Sequence, residues 1–196
     1  VNVYSQRHYD SDKALFKKFE EKTGIKVNLI TAKAEELVSR LSIEGANSPS
    51  DILITADIGN LYEAKERDLL QGVSSKTLEK NIPSHLRDEG GKWFAITKRA
   101  RLFVYNPKTI NPAHLDDYFS LTKPEFKGKV LTRSSTNAYN KSLLASIIAH
   151  HGEEKSLEFV KGLVNNFARD PKGADKDQIR AVASGEADIA IVNSYY

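Results

Sequence analysis

The stretch Ile189-Ala190-Ile191-Val192-Asn193-Ser194-Tyr195-Tyr196 joins a short apolar run to two adjacent tyrosines. Four consecutive apolar residues at 189–192 predict a buried strand. The run follows a helix-and-stop pattern that closes at residues 184–185, Ser-Gly. Because ligands bind beyond the carboxyl ends of strands in open α/β sheets, Tyr195 and Tyr196 stand where a binding site is expected.

The tyrosine pair has two interpretations. Two neighbouring phenols offer two hard oxygen donors to one highly charged cation. Tyrosine also commonly buries its ring and exposes its hydroxyl, so an adjacent pair is more often a half-buried aromatic edge than a metal site. The pair alone therefore favours the aromatic edge over the metal site.

The first third of the chain alternates strands with helices. Strands are predicted at residues 1–4, 25–30 and 51–55, and helices from Asp10 or Ser11 to Gly24, at 34–45 and at 60–70. The first helix has Leu15, Phe16 and Phe19 on its apolar face. This order predicts a parallel sheet wrapped by helices. Residues 72–92 are polar and are expected to be irregular.

A change of pattern at residues 93–105 predicts two lobes. Two extended apolar stretches, at 93–96 and 102–105, are expected to form a crossing strand between the lobes. A second α/β region follows, with a strand at 130–131 and helices at about 137–151, 154–166 and 176–184, the first of them capped by Ser134 or Ser135. We therefore expect an α/β protein with a first lobe at 1–98, a hinge at 99–105 and a second lobe at 106–196.

Composition narrows the function classes. The formal net charge of the 196 residues is only +3, with basic and acidic residues interleaved, so nucleic-acid binding is not expected. The lack of cysteine excludes disulfides and thiolate metal sites. No apolar run approaches the roughly 20 residues that span a bilayer. The chain begins at Val1 inside a predicted strand and lacks methionine, which suggests an exported mature form without its leader.

The histidines do not indicate a zinc site, and the sequence lacks the motifs that would indicate an enzyme. His150 and His151 are adjacent, so their rings point about 100° apart on a helix and do not readily share a metal. Phosphate-binding loops, nucleophile elbows and metalloprotease motifs are missing from the sequence. His8 and Tyr9 follow the first predicted strand, where a surface loop and a site are equally open.

An arginine pair and a serine pair each have two interpretations. Arg99 and Arg101 are two residues apart on the predicted crossing strand and so share a face, either as surface charge or facing an anion. The pair Ser134-Ser135 is most simply a helix cap, and its backbone N–H groups could also face an anion.

Four motifs together resemble the ferric-ion-binding proteins of bacterial iron ABC transporters, which are periplasmic binding proteins with the two-lobed type II fold and a ligand cleft between the lobes. The resemblance covers the whole chain. Its motifs are Val-Tyr-Ser-Gln-Arg-His-Tyr at 3–9, Asp-Ile-Leu-Ile-Thr-Ala-Asp at 51–57, Phe-Lys-Gly-Lys-Val at 126–130, and Ser-Gly-Glu-Ala-Asp at 184–188 continuing to Asn-Ser-Tyr-Tyr at 193–196.

The resemblance implies a set of iron ligands. The family's paired tyrosines correspond to Tyr195 and Tyr196, its second-lobe helix tyrosine to Tyr139, and its first-lobe ligand to Tyr9. His8 can replace or assist the first-lobe ligand.

Charged residues near the implied site come from the same resemblance. The family's arginine at the lobe crossing corresponds best to Arg99, with Arg101 as a weaker candidate. A carboxylate that some relatives use after the third strand falls near Asp57, where Ala-Asp-Ile-Gly at 56–59 departs from the family pattern.

The function implied is periplasmic binding of Fe³⁺, with Fe²⁺ possible, and delivery to an inner-membrane ABC transporter permease. The protein is expected to be a monomer, to catalyse no reaction and not to span the membrane. A binding protein for a small organic or anionic solute is the alternative; an enzyme and a regulatory effector domain are the other rivals. Members of the family are about half as long again, and their chain returns to the first lobe after the tyrosines, so we expect that segment to be missing here.

Overall fold

The computed structural model describes residues 1–196, which divide into two compact units at 1–97 and 98–196. Each unit has a three-stranded sheet with helices, which confirms the predicted α/β class. The strands are β1 Asn2–Ser5, β2 Asn28–Thr31, β3 Ile52–Ile54, β4 Arg101–Tyr105, β5 Val130–Leu131 and β6 Ile189–Asn193. The helices are α1 Asp10–Thr23, α2 Ala34–Glu44, α3 Ile58–Glu66, α4 Lys76–Asn81, α5 Ala138–Asn165 and α6 Asp175–Ala183.

The sheet of the first unit is parallel throughout, with β1 between β2 and β3. Helix α1 connects β1 to β2, and α2 connects β2 back to β3, so the predicted strand–helix alternation is confirmed. Parallel strands need such crossovers because a short turn cannot return the chain to the same end of the sheet. Tyr4 of β1 packs with Leu37 and Leu41 of α2 in the core of this unit.

Helix α1 ends as predicted at Gly24, whose φ of 73° closes the helix in the left-handed conformation. None of its residues is buried, and Leu15 and Phe19 of its apolar face are 60% and 40% exposed. The buried core of the unit forms around α2 rather than α1.

The polar segment 72–92 is more regular than predicted. Ser75 caps the short helix α4 by accepting a hydrogen bond from the Leu78 amide at 3.4 Å, and a 3₁₀ turn follows at Ser84–Leu86. A helix of six residues is too short to show an apolar period, so the pattern of the sequence did not indicate it.

The sheet of the second unit is mixed. Strand β6 lies in the middle, antiparallel to β4 and parallel to β5, and all five of its residues are buried. Alternate β6 side chains enter two apolar clusters: Ile189 and Ile191 pack with Leu121 and Phe126, while Ala190 and Val192 pack with Leu131 and Val182. The predicted buried strand is confirmed.

The predicted crossing segment contains one strand, not two extended stretches. Only an isolated bridge between Phe94 and Arg87 forms at 93–96, and β4 begins at Arg101. Arg99 therefore precedes the strand, and the prediction that Arg99 and Arg101 share a strand face is wrong. The hinge role of 99–105 and the lobe boundaries stay predictions.

Helix α5 is broken at Gly152, whose φ of 78° separates two helical segments that correspond to the two predicted helices. Its N-cap is Asn137, whose side-chain oxygen accepts a hydrogen bond from the Tyr139 amide at 3.1 Å. The expected cap at Ser134 or Ser135 is wrong, because Ser134 instead accepts from the Thr136 amide within the preceding loop. No helix of the chain combines the length and the apolar character that crossing a membrane requires.

Candidate metal centre

Tyr195 and Tyr196 follow the carboxyl end of β6. The two residues are 53% and 47% exposed, and their ring centroids are 4.5 Å apart. The Tyr196 amide donates to the backbone oxygen of Asn193 at 3.3 Å, so a tight turn at the strand end presents both phenols together. A buried strand thus delivers two exposed phenols to one place.

Tyr139 joins this pair from the first turn of α5. Its half-buried side chain lies close enough to Tyr195 for the two phenols to interact electrostatically. The structure therefore brings together the three tyrosines that were predicted for the second lobe: Tyr139, Tyr195 and Tyr196.

Neighbouring groups shift the pKa of Tyr139 in opposite directions. Burial raises the pKa of Tyr139 above its ordinary value, and the nearby phenol of Tyr195 raises this pKa further. The guanidinium groups of Arg99 and Arg133 act in the opposite direction. Their carbons lie 4.2 and 5.5 Å from the centroid of the Tyr139 ring. Tyr139 therefore keeps its proton near neutral pH until a stronger cation displaces it.

Two cations of this region were not singled out from the sequence. Arg133 follows β5, and Lys176 is the second residue of α6, with its Nζ atom 5.5 Å from the centroid of the Tyr196 ring. No local sequence signal indicates either one, because the contacts join segments that are distant in the chain.

Arg99 and Arg101 have different surroundings. Arg99 lies over Tyr139, whereas Arg101 is buried and forms an ion pair at 3.1 Å with Asp175. Its side chain is 8% exposed and that of Asp175 is fully buried. Arg101 is thus paired with a carboxylate, whereas the guanidinium of Arg99 lies directly over the ring of one of the clustered tyrosines.

Tyr9 and His8 belong to the first unit, directly after β1. Tyr9 is the N-cap residue of α1, its ring stacks on that of His8 with the centroids 5.0 Å apart, and the Arg7 guanidinium lies 5.3 Å from the Tyr9 ring centroid. Tyr9 is exposed, so its phenol is accessible to a ligand. A site shared by this pair and the tyrosines of the second unit stays a prediction.

Asp57 has a clear role in local structure. It is the buried N-cap residue of α3, and its Oδ1 atom accepts a hydrogen bond from the Gly59 amide at 3.0 Å. A carboxylate at a helix N-terminus is also stabilised by the helix dipole. These contacts explain an aspartate at this position without a metal.

The remaining histidines do not form a metal cluster. His151 packs edge-on against Phe119, with the ring centroids 4.9 Å apart, and a ring nitrogen of His150 lies 2.8 Å from the backbone oxygen of Ser146. No three histidine, aspartate or glutamate side chains lie close enough together to hold a metal ion. The phenol oxygens are thus the clustered hard donors of the second unit.

Comparison with protein families gives one match, to the bacterial extracellular solute-binding proteins, over residues 47–196. The chain belongs to this family. As a bacterial extracellular solute-binding protein, it falls in a class of binding proteins rather than enzymes, as predicted.

This solute-binding protein is similar to proteins whose names refer to iron. It is 50% identical over 196 residues to iron uptake protein A1 of Synechocystis, and this match covers the whole chain and 54% of the relative. Among solved structures, the ferric binding protein of Campylobacter jejuni shares 56% identity with a TM-score of 0.94, over the whole chain and 62% of its own length. The Trichodesmium protein IdiA (FutA), solved in complex with iron and citrate ligands, shares 48% identity with a TM-score of 0.94, over the whole chain and 62% of its own length.

These similarities confirm the predicted family resemblance and the fold of this solute-binding protein. The chain spans between about half and two thirds of the length of these relatives.

Proposed function

We propose that the protein binds Fe³⁺ in the periplasm and delivers it to an inner-membrane ABC transporter. The ligands are the phenolates of Tyr139, Tyr195 and Tyr196, completed by Tyr9 or by His8 from the first unit. The observation that carries the proposal is the meeting of three tyrosines at the end of β6, where Tyr195 contacts both of the others. The relatives named for iron uptake and ferric binding support the choice of metal.

The donor chemistry suits ferric iron. Fe³⁺ is a hard cation that prefers anionic oxygen, and phenolates supply it. A free phenol has a pKa of about 10, so each tyrosine must lose its proton when the metal binds. Three phenolates neutralise the charge of Fe³⁺, and a fourth from Tyr9 leaves one net negative charge. The guanidinium of Arg99 then offsets that charge without competing for the metal, because it has no lone pair to donate.

Ligands from both units would explain transport. A metal held by Tyr9 and by the tyrosines of the second unit binds one arrangement of the two units more tightly and so increases its population. A transporter that recognises this arrangement then distinguishes loaded protein from empty protein. We expect the protein to act as a monomer, since all proposed ligands come from one chain.

The experiment is a visible absorption spectrum after addition of ferric citrate. Bound Fe³⁺ is expected to give a phenolate-to-iron charge-transfer band, and replacing both Tyr195 and Tyr196 by phenylalanine is expected to abolish it. Tyr62→Phe is the matched control, because Tyr62 is an exposed tyrosine on α3 of the first unit. A band that persists in the double variant would place the iron elsewhere.

Binding of a small anionic solute is the second candidate function. Arg99 and Arg133 lie over the ring of Tyr139, and Lys176 lies over the ring of Tyr196. Three cations beside these phenols could attract an anion without metal. Calorimetry with citrate alone separates the two: anion binding without iron, unchanged in the double phenylalanine variant and without colour, would favour this candidate.

A further inference from the structure

The buried guanidinium of Arg101 contacts three elements of the second unit besides its own strand. From β4 it pairs with Asp175 of α6, and its Nη2 atom donates to the side-chain oxygen of Asn140 on α5 at 2.8 Å. Its Nη1 atom also donates to the side-chain oxygen of Asn193 on β6 at 3.1 Å. Asn140 is the residue after Tyr139, and Asn193 is two residues before Tyr195. One side chain therefore joins the two elements that carry these tyrosines.

The contacts of Arg101 determine which way the Asn193 amide points. A guanidinium has donors and no acceptor, so only the amide oxygen of Asn193 can face it. The NH₂ group must then point away, and it donates to the Tyr195 phenol oxygen at 3.0 Å. A reversed amide would place two donors against each other at Arg101 and leave Tyr195 without this donor.

Asn140 is oriented by the same rule. Its side-chain oxygen accepts from Arg101, so its nitrogen faces the loop before α5 and donates to the backbone oxygen of Arg133 at 2.7 Å. This fixes the loop that leads into the first turn of α5. The segments that carry Tyr139 and Tyr195 are thus both held by Arg101, one through Asn140 and the other through Asn193.

Asp175 holds Arg101 in place. Both carboxylate oxygens lie 3.1 Å from the Nη1 atom of Arg101. The Oδ2 atom also accepts a hydrogen bond from the backbone N–H of Asn193 at 3.2 Å. Asp175 is the first residue of α6, where the helix dipole favours a negative charge. Removing either partner would leave a buried charge without compensation, so the pair is maintained as a unit.

We propose that Arg101, held by Asp175, is a positioning residue that directs the Asn193 N–H group to Tyr195 and sets the spacing of Tyr139 and Tyr195 for the metal. This rests on the proposed function. Arg101 acts through Asn193 and Asn140 and does not bind the metal. An N–H donor aimed at a phenolate oxygen stabilises its charge and fixes its direction, which is how groups around the direct ligands adjust a metal site.

The simpler alternative is that these residues only stabilise the fold. A matched control separates the two, because Asn166 is another buried asparagine of the second unit and donates to the backbone oxygens of Leu121 and Lys123 at 2.8 and 2.9 Å. Asn193→Ala and Asn166→Ala each remove one buried amide, but only the first touches a tyrosine.

The first measurement is ferric affinity and the charge-transfer band. Asn193→Ala is expected to weaken Fe³⁺ binding about tenfold or more and to shift the band, as loss of a group that supports a metal ligand typically does. Asn166→Ala is expected to lower the unfolding temperature without changing the ferric affinity or the charge-transfer band. Arg101→Lys keeps the charge but loses the fork that reaches two asparagines, and we expect it to behave like Asn193→Ala. Equal effects of Asn193→Ala and Asn166→Ala, or no effect of Arg101→Lys, would overturn the proposal.

The second measurement uses the protein without metal. NMR signals of the Tyr195 and Tyr139 rings are expected to shift in Asn193→Ala and Arg101→Lys and to stay in place in Asn166→Ala. If these ring signals shift in the two variants but the wild-type protein gives no iron band, the proposed function is refuted and the positioning role is supported. If the ring signals do not shift, the positioning role is refuted whatever the result with iron.

Discussion

The guanidinium carbon of Arg99 lies 4.2 Å from the ring centroid of Tyr139. The two residues are 40 positions apart in the sequence, and their contact places a positive charge beside three clustered phenols. The electrostatic attraction between this guanidinium and the phenols is weak while the phenols are neutral. It becomes strong when a phenol ionises, and it is stronger in a partly buried site than in bulk water.

Arg99→Gln is expected to weaken Fe³⁺ binding and to lower the reduction potential of the bound iron. With four phenolates the ferric site has one negative charge and the ferrous site has two, so a nearby cation stabilises the ferrous form more. We expect the loss of affinity to be about tenfold, the size of a modest charge interaction near a protein surface. Citrate competition and spectroelectrochemistry measure the two quantities.

The charge control for Arg99→Gln is Arg180→Gln. Arg180 lies on α6 of the same unit, is largely exposed and pairs with Asp177, so its replacement removes the same charge from a side chain that contacts a carboxylate instead of a tyrosine ring. Similar shifts in both variants would indicate an effect of net charge alone. If Arg99→Gln changes neither affinity nor potential, charge compensation by this arginine is wrong.

Ferric affinity is expected to rise with pH, because metal binding expels the phenol protons. Burial and Tyr195 raise the pKa of Tyr139, so its proton is held in the unliganded protein throughout the neutral range and must be released on binding. The logarithm of affinity should therefore rise by one unit per pH unit for each proton released, until the pH passes the pKa of the phenol concerned.

Tyr139→Phe is expected to reduce that slope by about one, since one fewer proton is released. Citrate competition between about pH 6 and 8, corrected for the protonation of citrate, gives the slope below the ordinary phenol pKa of about 10. Tyr62→Phe should leave it unchanged. A slope that is the same in Tyr139→Phe and wild type would remove Tyr139 from the ligand set.

Several features of the fold could be predicted from the sequence because local patterns and tertiary packing agree there. The apolar run at 189–192 is buried on both faces, and Gly24 and Gly152 end helices with positive φ angles. The cap of α5 could not be predicted, because Ser134, Ser135 and Asn137 are all eligible by residue type. In the structure the cap is Asn137, whose side-chain oxygen accepts a hydrogen bond from the backbone N–H of Tyr139.

The difference between Arg99 and Arg101 could not be predicted either. A spacing of two places residues on one face only if both belong to a strand, and β4 begins at Arg101, paired with Asn193. The partner of Arg101, Asp175, is 74 residues away in the chain, so no local pattern indicates the ion pair. The tyrosines were assigned through a family resemblance, since phenol pairs alone do not distinguish a metal site from an aromatic edge.

Asp57→Ala is expected to destabilise the protein by about 1 kcal/mol and to leave the iron band unchanged. The reason is that Asp57 caps α3 through the Gly59 amide, and loss of a capping side chain typically costs this much. Asp57→Asn retains a capping oxygen and should recover most of the stability. Urea unfolding gives the free energies of unfolding, and a weakened or shifted iron band in both variants would instead make Asp57 part of the site.

Tyr9→Phe is expected to leave a weaker iron band rather than to abolish it. The three tyrosines of the second unit can still bind Fe³⁺ as phenolates, whereas the contribution of Tyr9 to the absorption and its negative charge are lost. His8 stacks on the Tyr9 ring with the centroids 5.0 Å apart, and we expect its imidazole to take over as a neutral ligand. In that case the ferric site of Tyr9→Phe is neutral, and its dependence on Arg99 should diminish.

His8→Ala and the double variant His8→Ala/Tyr9→Phe complete the test, with Tyr62→Phe as the control from the same unit. If His8 substitutes for Tyr9, the double variant loses more Fe³⁺ affinity than the two single losses combined, because only then is the first-unit ligand absent. If His8 is only a stacking partner, the losses add, and His8→Ala alone leaves the band unchanged. Full retention of affinity and of the band in the double variant would show that the first unit supplies no ligand from this pair, and the proposed sharing of iron between the units would then be wrong.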